Sequence, residues 1–591
     1  MLDKNNGWYK NNGKGIKIAV IDSGIKIDHP KLAQYTFSGY NITNDSNNIE
    51  DRLGHGTAIT GIIKNHVPCA EIFAVKIFDD DYYVDFFDLC NALEYIYKNI
   101  DFHVLNLSIG LTECPDHIKL ENLCDMLSEK GVVVSAFDNF GAISYPAAYS
   151  SVIGVDGTLE YTNPWEFDYI EDSTINIRGK GGNQRILWAD PDYMIQGGSS
   201  FACAHITGLI AKMVQNNKLS KKDILCELRA NAMNIYETQS YQNNFPKFII
   251  KNAVCFPYNK EIDAITRNQS QLSFNLCGVY DSKYNINIGK EIGEGIKILD
   301  IEKLDWHSNF DTVVLGHIGE LSCLSKTDYY KKISENCKKY NKNLFQFDDV
   351  NNSDSVYSPN IKMNYIPPLN YGKLYMIGKP IIAVMGTSPR QGKFTLQLSL
   401  RKELNSLGYK VGQLGTEPQS ILFGFDESFS CGYGADISLD EQTSIGYINY
   451  LLSKIERKNP DIIILGGQSG LIPYAMYNLR NNSPYQKEIL QAANPDVIIL
   501  CVNYFDDIEY IIRTVKYAQV LTTSKVVALS LFPFERAYSW NSTSSNLKFV
   551  DEEGLKKRKE EIETQVGVEV FLQKQTNLLC EKIINYLSDE E

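Results

Sequence analysis

Short apolar runs that end in Gly, Asp or Asn recur along most of the chain, and segments of helical periodicity follow them. Apolar runs of about four to eight residues between turn signals are typical of strands that are buried on both faces of a sheet. Their alternation with helices predicts parallel sheets made of right-handed βαβ units, and therefore an α/β fold class. The clearest predicted strands are residues 16–21, 132–134, 312–316, 381–384, 462–465 and 497–500.

The chain has 591 residues, which is too long for a single hydrophobic core. A polar, Asn-rich passage follows the helical pattern at residues 221–232, and a second polar passage covers residues 351–359. Such passages between periodic segments are typical of linkers. They predict three domains at residues 1–260, 261–372 and 373–591.

Composition narrows the class of function. The net charge of −14 argues against a nucleic-acid binder. No apolar run is long enough to span a membrane, and the first residues lack the apolar core of a signal peptide. The thirteen cysteines follow no CxxC spacing, which is typical of thiols kept reduced in a cytoplasm. We expect a soluble cytoplasmic protein that binds neither nucleic acid nor membranes.

Three separated motifs contain candidate catalytic side chains. Asp22 ends the first predicted strand, where α/β proteins place functional groups. His55 stands between two glycines, which let a ligand approach the backbone closely. Ser200 begins a predicted helix, whose N terminus stabilises negative charge beside it. Taken singly, the motifs are explained more simply by an Asp-Ser-Gly turn, a structural histidine and a serine N-cap.

Together the motifs resemble the subtilisin (S8) family of serine endopeptidases over about residues 14–232, with the triad in the order Asp, His, Ser. The resemblance implies a subtilisin-like parallel-sheet domain that needs no metal. It implies that Ser200 attacks the peptide carbonyl, that His55 transfers the proton and that Asp22 orients the imidazole. It also assigns Asn139 and the backbone N–H of Ser200 to the oxyanion. Three residues are expected to border the S1 pocket, namely Ser108, Gly110 and Ser144.

The sequence departs from the family at several positions. Asp138 precedes Asn139 where the family usually has glycine, and Phe201 and Cys203 replace the more usual residues after the serine. Residues 1–14 are too short for the family's folding pro-segment, so we expect the enzyme to fold unaided.

A Gly-rich loop at residues 386–392 lies between a predicted strand and a predicted helix. Gly386, Gly392 and Lys393 fit a phosphate-binding loop, in which backbone N–H groups and a lysine face an anion. The spacing between the glycines is one residue longer than usual, and Thr395 would have to supply the hydroxyl that normally stands at position 394. No acidic residue directly follows the strand at residues 462–465. An ordinary strand-to-helix turn is the alternative.

This loop, residues 415–420 and residues 462–470 resemble a P-loop family of unknown function that includes D-glutamate N-acetyltransferases, over about residues 265–540. The resemblance implies a small Rossmann-like domain followed by a P-loop α/β domain. It implies that a nucleotide or coenzyme A is held by the residues Gly386, Gly392, Lys393 and Thr395.

The sequence therefore predicts a cytoplasmic serine endopeptidase that acts on a peptide or protein and needs no cofactor for proteolysis. One hypothesis makes it a dedicated enzyme that removes the leader of a ribosomally made peptide, together with peptide-maturation partner proteins; the other is general protein turnover. A catalytically silent peptide-binding scaffold, or a nucleotide- or coenzyme A-dependent enzyme in the C-terminal half, are the alternatives. Cleavage specificity and oligomeric state are not predicted.

Overall fold

The structure is a computed structural model. It describes residues 7–78, 81–139, 141–236, 245–293, 295–363, 366, 370–389, 391–431, 439–474, 485–537 and 546–588. The chain forms two compact units, Met1–Tyr241 with Pro367–Gly378, and Gln242–Ile366 with Lys379–Glu591. Mainly parallel sheets flanked by helices confirm the predicted α/β class.

The first unit alternates strands and helices along its described part. Its strands are β1 (Lys17–Asp22), β2 (Ser38–Asn41), β3 (Glu71–Lys76), β4 (Val104–Leu107), β5 (Val132–Ala136), β6 (Ile153–Thr158), β7 (Phe167–Ile170), β8 (Ile177–Lys180), β9 (Gln184–Leu187), β10 (Tyr193–Gln196) and β11 (Asn234–Tyr236). Its helices are α1 (His55–His66), α2 (Phe86–Asn99), α3 (His117–Lys130), α4 (Ser199–Val214) and α5 (Lys221–Asn231).

The main sheet of this unit has the strand order β11-β7-β8-β6-β5-β4-β1-β3-β2. All its pairs are parallel except β7 with β8, and β9 and β10 form a separate antiparallel pair. Strand β1 lies between β3 and β4, so the chain leaves it first in one direction and later in the other. Ligands bind at such a switch point, beyond the carboxyl ends of the strands. Asp22 is the last residue of β1.

Two helices bring the other motifs to the same edge of the sheet. Ile18 and Val20 of β1 share one buried cluster with Ile59 of α1 and Ile206 of α4. Full burial of a side chain of this size contributes about 1.5–3 kcal/mol to stability. The cluster therefore fixes α1 and α4 against the sheet, and with them the first turns that carry His55 and Ser200.

The second unit contains two seven-stranded sheets and a β-hairpin in its described part. Its strands are β12 (Asn252–Phe256), β13 (Asn275–Asp281), β14 (Glu291–Ile292), β15 (Ile296–Asp300), β16 (Thr312–Leu315), β17 (Asn343–Gln346), β18 (Val356–Tyr357), β19 (Ile381–Gly386), β20 (Val411–Gly415), β21 (Glu427–Ser428), β22 (Ile462–Gly466), β23 (Val497–Asn503), β24 (Lys525–Phe532), β25 (Phe534–Ala537), β26 (Asn546–Phe549) and β27 (Val570–Leu572). Its helices are α6 (Lys260–Arg267), α7 (Gly319–Ser325), α8 (Tyr329–Lys339), α9 (Lys393–Ser406), α10 (Glu441–Glu456), α11 (Tyr485–Ala493), α12 (Ile508–Leu521), α13 (Glu552–Val566) and α14 (Thr576–Ser588).

The two large sheets have the orders β14-β15-β13-β12-β16-β17-β18 and β21-β20-β22-β19-β23-β24-β27. In the second of these, β19 lies between β22 and β23, and all the pairs are parallel. The Gly-rich loop therefore follows the strand at which the chain changes direction, the usual place for a ligand in such a sheet.

The observed boundaries differ from the predicted divisions at residues 260 and 372. Strand β12 pairs with β13 and β16, so residues 252–256 belong to the second unit. The polar passage at residues 351–359, which suggested a linker, contains β18, and Tyr357 is only 1% exposed. Residues 370–378 belong to the first unit. The linker prediction was wrong because it rested on polar composition alone. A polar segment is still ordered when a few of its residues pair with a sheet or are buried, as those of β18 are.

Within the described ranges, no helix is both long enough and apolar enough to cross a membrane.

Candidate active site

The Asp22 carboxylate is buried at the carboxyl end of β1 and accepts a hydrogen bond from the backbone N–H of Ser23 at 2.8 Å. The His55 imidazole approaches both of its oxygens, with Nδ1 2.8 Å from Oδ1 and 3.0 Å from Oδ2. A histidine that donates Nδ1–H to a carboxylate presents Nε2 as the proton acceptor. The first two predicted triad members therefore lie in the geometry that proton transfer requires.

A second acid, Asp51, holds the start of α1 in place. Its carboxylate accepts from the N–H of Gly54 at 2.8 Å and from the N–H and hydroxyl of Thr57 at 2.9 and 2.6 Å. Gly54 has a φ of 95°, and a Cβ there would lie 2.5 Å from the indole of Trp188. Glycine is thus required at this position for two reasons: the backbone conformation is left-handed, and the indole of Trp188 leaves no room for a side chain.

The electrostatic surroundings favour a charged imidazole once it forms. Burial disfavours the imidazolium, but the charge of Asp22, its hydrogen bond and the charge of Asp51 outweigh burial and raise the pKa of His55 above 6.5. A raised pKa makes His55 a stronger base.

Ser200 is the second residue of α4, at the helix N terminus. Its hydroxyl donates to the carbonyl oxygen of Ser108 at 3.3 Å, and the Ser108 hydroxyl donates to the carbonyl oxygen of Ser200 at 3.3 Å. The ring of the next residue, Phe201, lies 5.5 Å from the His55 ring. The structure thus brings the helix start beside the imidazole, with the serine hydroxyl turned to β4. Attack requires the hydroxyl to rotate towards His55, and such contacts often tighten only with substrate.

Asn139 lies beside the start of α4. Its Oδ1 accepts from the N–H of Ser199 at 2.7 Å and from the Ser199 hydroxyl at 3.0 Å. Because the carboxamide oxygen is held in this way, Nδ2–H is the group left to face an oxyanion. Gly198 allows this approach, since a Cβ there would lie 3.1 Å from Nδ2.

The three predicted S1 residues also lie near one another. A Cβ on Gly110 would come within 2.5 Å of the Ser144 hydroxyl, and Ser108 is bonded to Ser200 as described. Ser144 is fully buried and its hydroxyl accepts from the N–H of Asp138 at 2.8 Å. Their role in substrate binding stays a prediction, as do the catalytic roles of the triad and Asn139.

Some residues of this site escaped the sequence prediction. Asp51 carries only a weak signal, an acid three residues before a glycine. Asp156 accepts from the Ser199 hydroxyl at 3.1 Å, and it lies within an apolar run that predicts only a strand. No group of three or more metal-binding side chains occurs among the residues that the structure describes.

The described residues of the Gly-rich loop lie between β19 and α9 of the second unit. Gly386 ends β19, Gly392 precedes α9 with a φ of 74°, and Lys393 is the first residue of that helix. The Lys393 ammonium donates to the carbonyl oxygen of Ser388 at 2.8 Å, and burial lowers its pKa to about 8. Thr395 is half-buried within the first turns of α9.

The acid beside this loop follows β23 and not β22. Asp506 is 2% exposed, is hydrogen-bonded to the Thr387 hydroxyl and accepts from the N–H of Asn503 at 2.8 Å. The sequence prediction looked for an acid only after residues 462–465, on the strand to one side of β19. The other neighbour of β19 supplies it instead.

Comparison with known protein families finds both of the resemblances that the sequence predicts. Residues 13–254 match the Subtilase family (Peptidase_S8), and residues 370–577 match a P-loop domain of unknown function (DUF1611_C). The second match covers a later part of the chain than the predicted resemblance over residues 265–540.

Among curated proteins, the minor extracellular protease Epr of Bacillus subtilis (strain 168) is 32% identical over 218 residues, which are 35% of this chain and 33% of Epr. Thermitase from Thermoactinomyces vulgaris is 28% identical over 247 residues, 40% of this chain and 87% of thermitase. The crystal structure of a cold-adapted subtilisin-like serine proteinase aligns with 37% of this chain and 83% of its own, at 21% identity and a TM-score of 0.33. The chain thus spans about a third of the length of Epr and most of that of thermitase. The N-terminal part of the chain is thus similar to the Subtilase family, and the C-terminal part is similar to a P-loop domain of unknown function.

Proposed function

We propose that the whole protein is a serine endopeptidase that cleaves peptide bonds through an acyl-enzyme on Ser200. The observation that carries the proposal is the pairing of His55 with both carboxylate oxygens of Asp22, beside the N terminus of the helix that holds Ser200. A peptide-binding scaffold has no need of a buried carboxylate that orients an imidazole at this point.

In the proposed reaction the Ser200 hydroxyl turns from the carbonyl of Ser108 to Nε2 of His55. Nε2 takes the proton while Oγ bonds to the substrate carbonyl carbon, and Asp22 stabilises the imidazolium. Nδ2–H of Asn139 and the N–H of Ser200 bind the negatively charged oxygen. The tetrahedral species then collapses, the C–N bond breaks, and His55 protonates the leaving amine. Water attacks the acyl-enzyme by the same steps and releases the acid.

Fluorophosphonate labelling of the full chain tests this function. We expect one label, on Ser200, which Ser200→Ala abolishes and His55→Ala suppresses strongly. Ser128→Ala, on the distant helix α3, is the matched control and should label like the natural sequence. A folded protein that neither labels nor cleaves denatured protein substrates would refute the proposal and favour the scaffold.

We propose further that the enzyme works in a reducing compartment, the cytoplasm, as a processing peptidase that removes a leader from a ribosomally made peptide. All thirteen cysteines lie in described residues and are free thiols, which is typical of such a compartment. Epr is named as extracellular, so similarity to subtilases does not by itself indicate in which compartment this protein works. Incubation of candidate precursor peptides with the natural sequence and with Ser200→Ala, followed by mass spectrometry, tests the role. One defined cut near a leader boundary supports it, and many cuts along the chain favour general turnover.

For the second unit we propose that the Gly-rich loop binds the phosphates of a nucleotide or of coenzyme A. The favouring observation is the buried Lys393, which has no carboxylate within ion-pair distance among the described residues. A buried ammonium that has no carboxylate in direct contact is stabilised by an anion that binds at the helix N terminus. The hydroxyls of Thr416 and Ser420, beyond the carboxyl end of β20 in the same sheet, are buried without a hydrogen-bond partner in the described part of the chain. These donors fit a polar, phosphate-bearing ligand, which Gly386, Gly392, Lys393 and Thr395 would hold.

Calorimetric titration with ATP and with acetyl-coenzyme A tests this binding. Lys393→Met should weaken binding of the active ligand at least about tenfold, the effect of one charged contact. Lys402→Met, on the exposed face of the same helix α9, is the control and should bind normally. Binding of neither compound by the natural sequence would contradict the proposal.

A further inference from the structure

A segment far along the chain is part of the first unit. This segment, residues 370–378, is named the strap here, and it runs beside the chain that precedes Ser144. The N–H of Ile143 donates to the carbonyl oxygen of Leu374 at 2.8 Å, and Ile143 and Tyr375 form a parallel bridge. The strap therefore pairs with the backbone that leads into the predicted S1 border.

Two tyrosines, Tyr371 and Tyr375, anchor the strap within the first unit. The Tyr375 side chain is 3% exposed, and its hydroxyl shares a hydrogen bond with the hydroxyl of Thr174 at 2.8 Å. The guanidinium of Arg178 lies 4.0 Å from the ring centre of Tyr371, a cation–π contact. A segment with a buried aromatic anchor and a backbone bridge is held in one position, and with it the three residues between the two tyrosines.

The middle one of these three residues is Lys373. Its ammonium donates to the carbonyl oxygen of Asp138 at 2.8 Å and lies 3.7 Å from the carboxylate of Asp156. The side chains of Lys373 and Asp156 are only 10% and 9% exposed, so water screens the pair weakly. Asp138 directly precedes Asn139. The carboxylate of Asp156 and the carboxamide oxygen of Asn139 share the single hydroxyl proton of Ser199, at 3.1 and 3.0 Å, and the N–H of Ser199 also donates to Asn139 at 2.7 Å. The Lys373 ammonium thus contacts the residue that precedes Asn139 and a carboxylate that shares the Ser199 hydroxyl with the Asn139 carboxamide.

We propose that Lys373 is a positioning residue of the peptidase, which orients Asn139 towards the oxyanion. The inference rests on the proposed peptidase function and extends it to a residue outside the 13–254 match. Two physical effects act together. The bond to the Asp138 carbonyl fixes the backbone that enters Asn139. The positive charge offsets that of Asp156, which would otherwise repel the negative oxygen that develops nearby.

The loop that enters Asn139 departs from the family pattern at Asp138. Where the family usually has glycine, Asp138 donates its N–H to Ser144 and presents its carbonyl to Lys373. These two hydrogen bonds hold the backbone of the loop from both sides.

The test compares Lys373→Met with Lys14→Met in the full-length protein. Lys14 is an exposed lysine of the first unit, so its replacement controls for the loss of one charge. Active sites are titrated with fluorophosphonate, and kcat and KM are measured per titrated site. We expect Lys373→Met to lower kcat about 10- to 100-fold, as for a catalytic group displaced by up to about 1 Å, with KM changed less than about twofold.

A double-mutant cycle separates positioning from general stability. In an Asn139→Ala background the group that Lys373 orients is absent, so Lys373→Met should lower kcat less than about threefold. An equal loss in both backgrounds, or a kcat in Lys373→Met equal to that of Lys14→Met, would overturn the proposal. If the natural sequence itself neither labels nor cleaves, the peptidase function fails instead, and the two failures are distinguishable.

Discussion

Two buried histidines between α1 and α4 make the first unit sensitive to acid. Nε2 of His66 lies 3.0 Å from Nδ1 of His205, and Nε2 of His205 lies 3.0 Å from Oε1 of Gln184. If Gln184 accepts, His205 Nδ1 must accept from His66, which leaves Nδ1 of His66 as an acceptor without a partner in the described residues. Protonation of His205 at Nδ1 would place an N–H donor opposite the Nε2–H donor of His66. A proton on His66 would be buried without an acceptor.

Both histidines have a pKa below the ordinary value of an imidazole. Burial, and then the charge of Lys212, lower the pKa of His66 to about 3. Burial, His66 and Lys180 lower the pKa of His205 well below its ordinary value. The unfolded chain binds a proton at each histidine near pH 6.5, whereas the native chain does not. The stability is therefore fully present above about pH 6.5 and falls as the pH decreases towards 3. For His66 alone, the loss between pH 8 and pH 5 is about 2 kcal/mol.

The assay compares the protein with and without His66→Gln, a change that keeps a donor for His205 but cannot be protonated. Both chains carry Ser200→Ala, so that unfolded protein is not digested. Urea unfolding at pH 8 and pH 5 is followed by hydrogen exchange of peptides that contain β1, which report on the first unit alone.

We expect the chain with His66 to lose about 2 kcal/mol more stability between the two pH values than the His66→Gln chain. His103→Gln, at an exposed position, should behave like the parent. Equal losses with and without His66 would refute the reasoning, since the remaining titrating groups are the same in both chains.

Three further outcomes are expected of the active site. The kcat/KM of the natural sequence should decline as the pH falls through a midpoint above 6.5, because Asp22 raises the pKa of His55 and only the neutral imidazole accepts a proton; a midpoint below 6.5 would contradict this. Asn139→Leu should lower kcat about 10²–10³-fold with little change in KM, measured with a peptide anilide, and a loss below tenfold would remove Asn139 from the oxyanion site. Iodoacetamide should leave the activity intact, since Cys203 near the start of α4 is fully buried and burial raises its pKa; inactivation traced to Cys203 by peptide mapping would show this description of the helix start to be wrong.

Local pattern was sufficient to predict the strands that organise both units. The apolar runs at residues 16–21 and 381–384 correspond to β1 and β19, each of which lies at the switch point of its sheet. Fully buried parallel strands leave a strong signal because both faces exclude polar side chains. The motifs at Asp22, His55 and Ser200 follow from the same logic, since each stands at the carboxyl edge of that sheet.

Contacts between distant parts of the chain were not predictable. Lys373 lies 235 positions from Asp138, and nothing in its local sequence distinguishes it from a surface lysine. Asp506 was missed for a related reason, because the order of β22, β19 and β23 decides which acid reaches the Gly-rich loop. Sequence patterns report burial and periodicity, whereas these residues depend on which strands and segments become neighbours.

The position of the strap in the sequence also decides when the first unit can be completed during translation. Residues 370–378 leave the ribosome about 120 positions after the end of the subtilase match at residue 254. At about 5–20 residues per second, that interval lasts roughly 6–25 s. Under the proposed role of Lys373, the oxyanion site of the nascent chain lacks one of its supports throughout this interval. The same proposal predicts that cleavage of the growing polypeptide by its own N-terminal part is slower in this interval, by the roughly 10- to 100-fold expected of Lys373→Met.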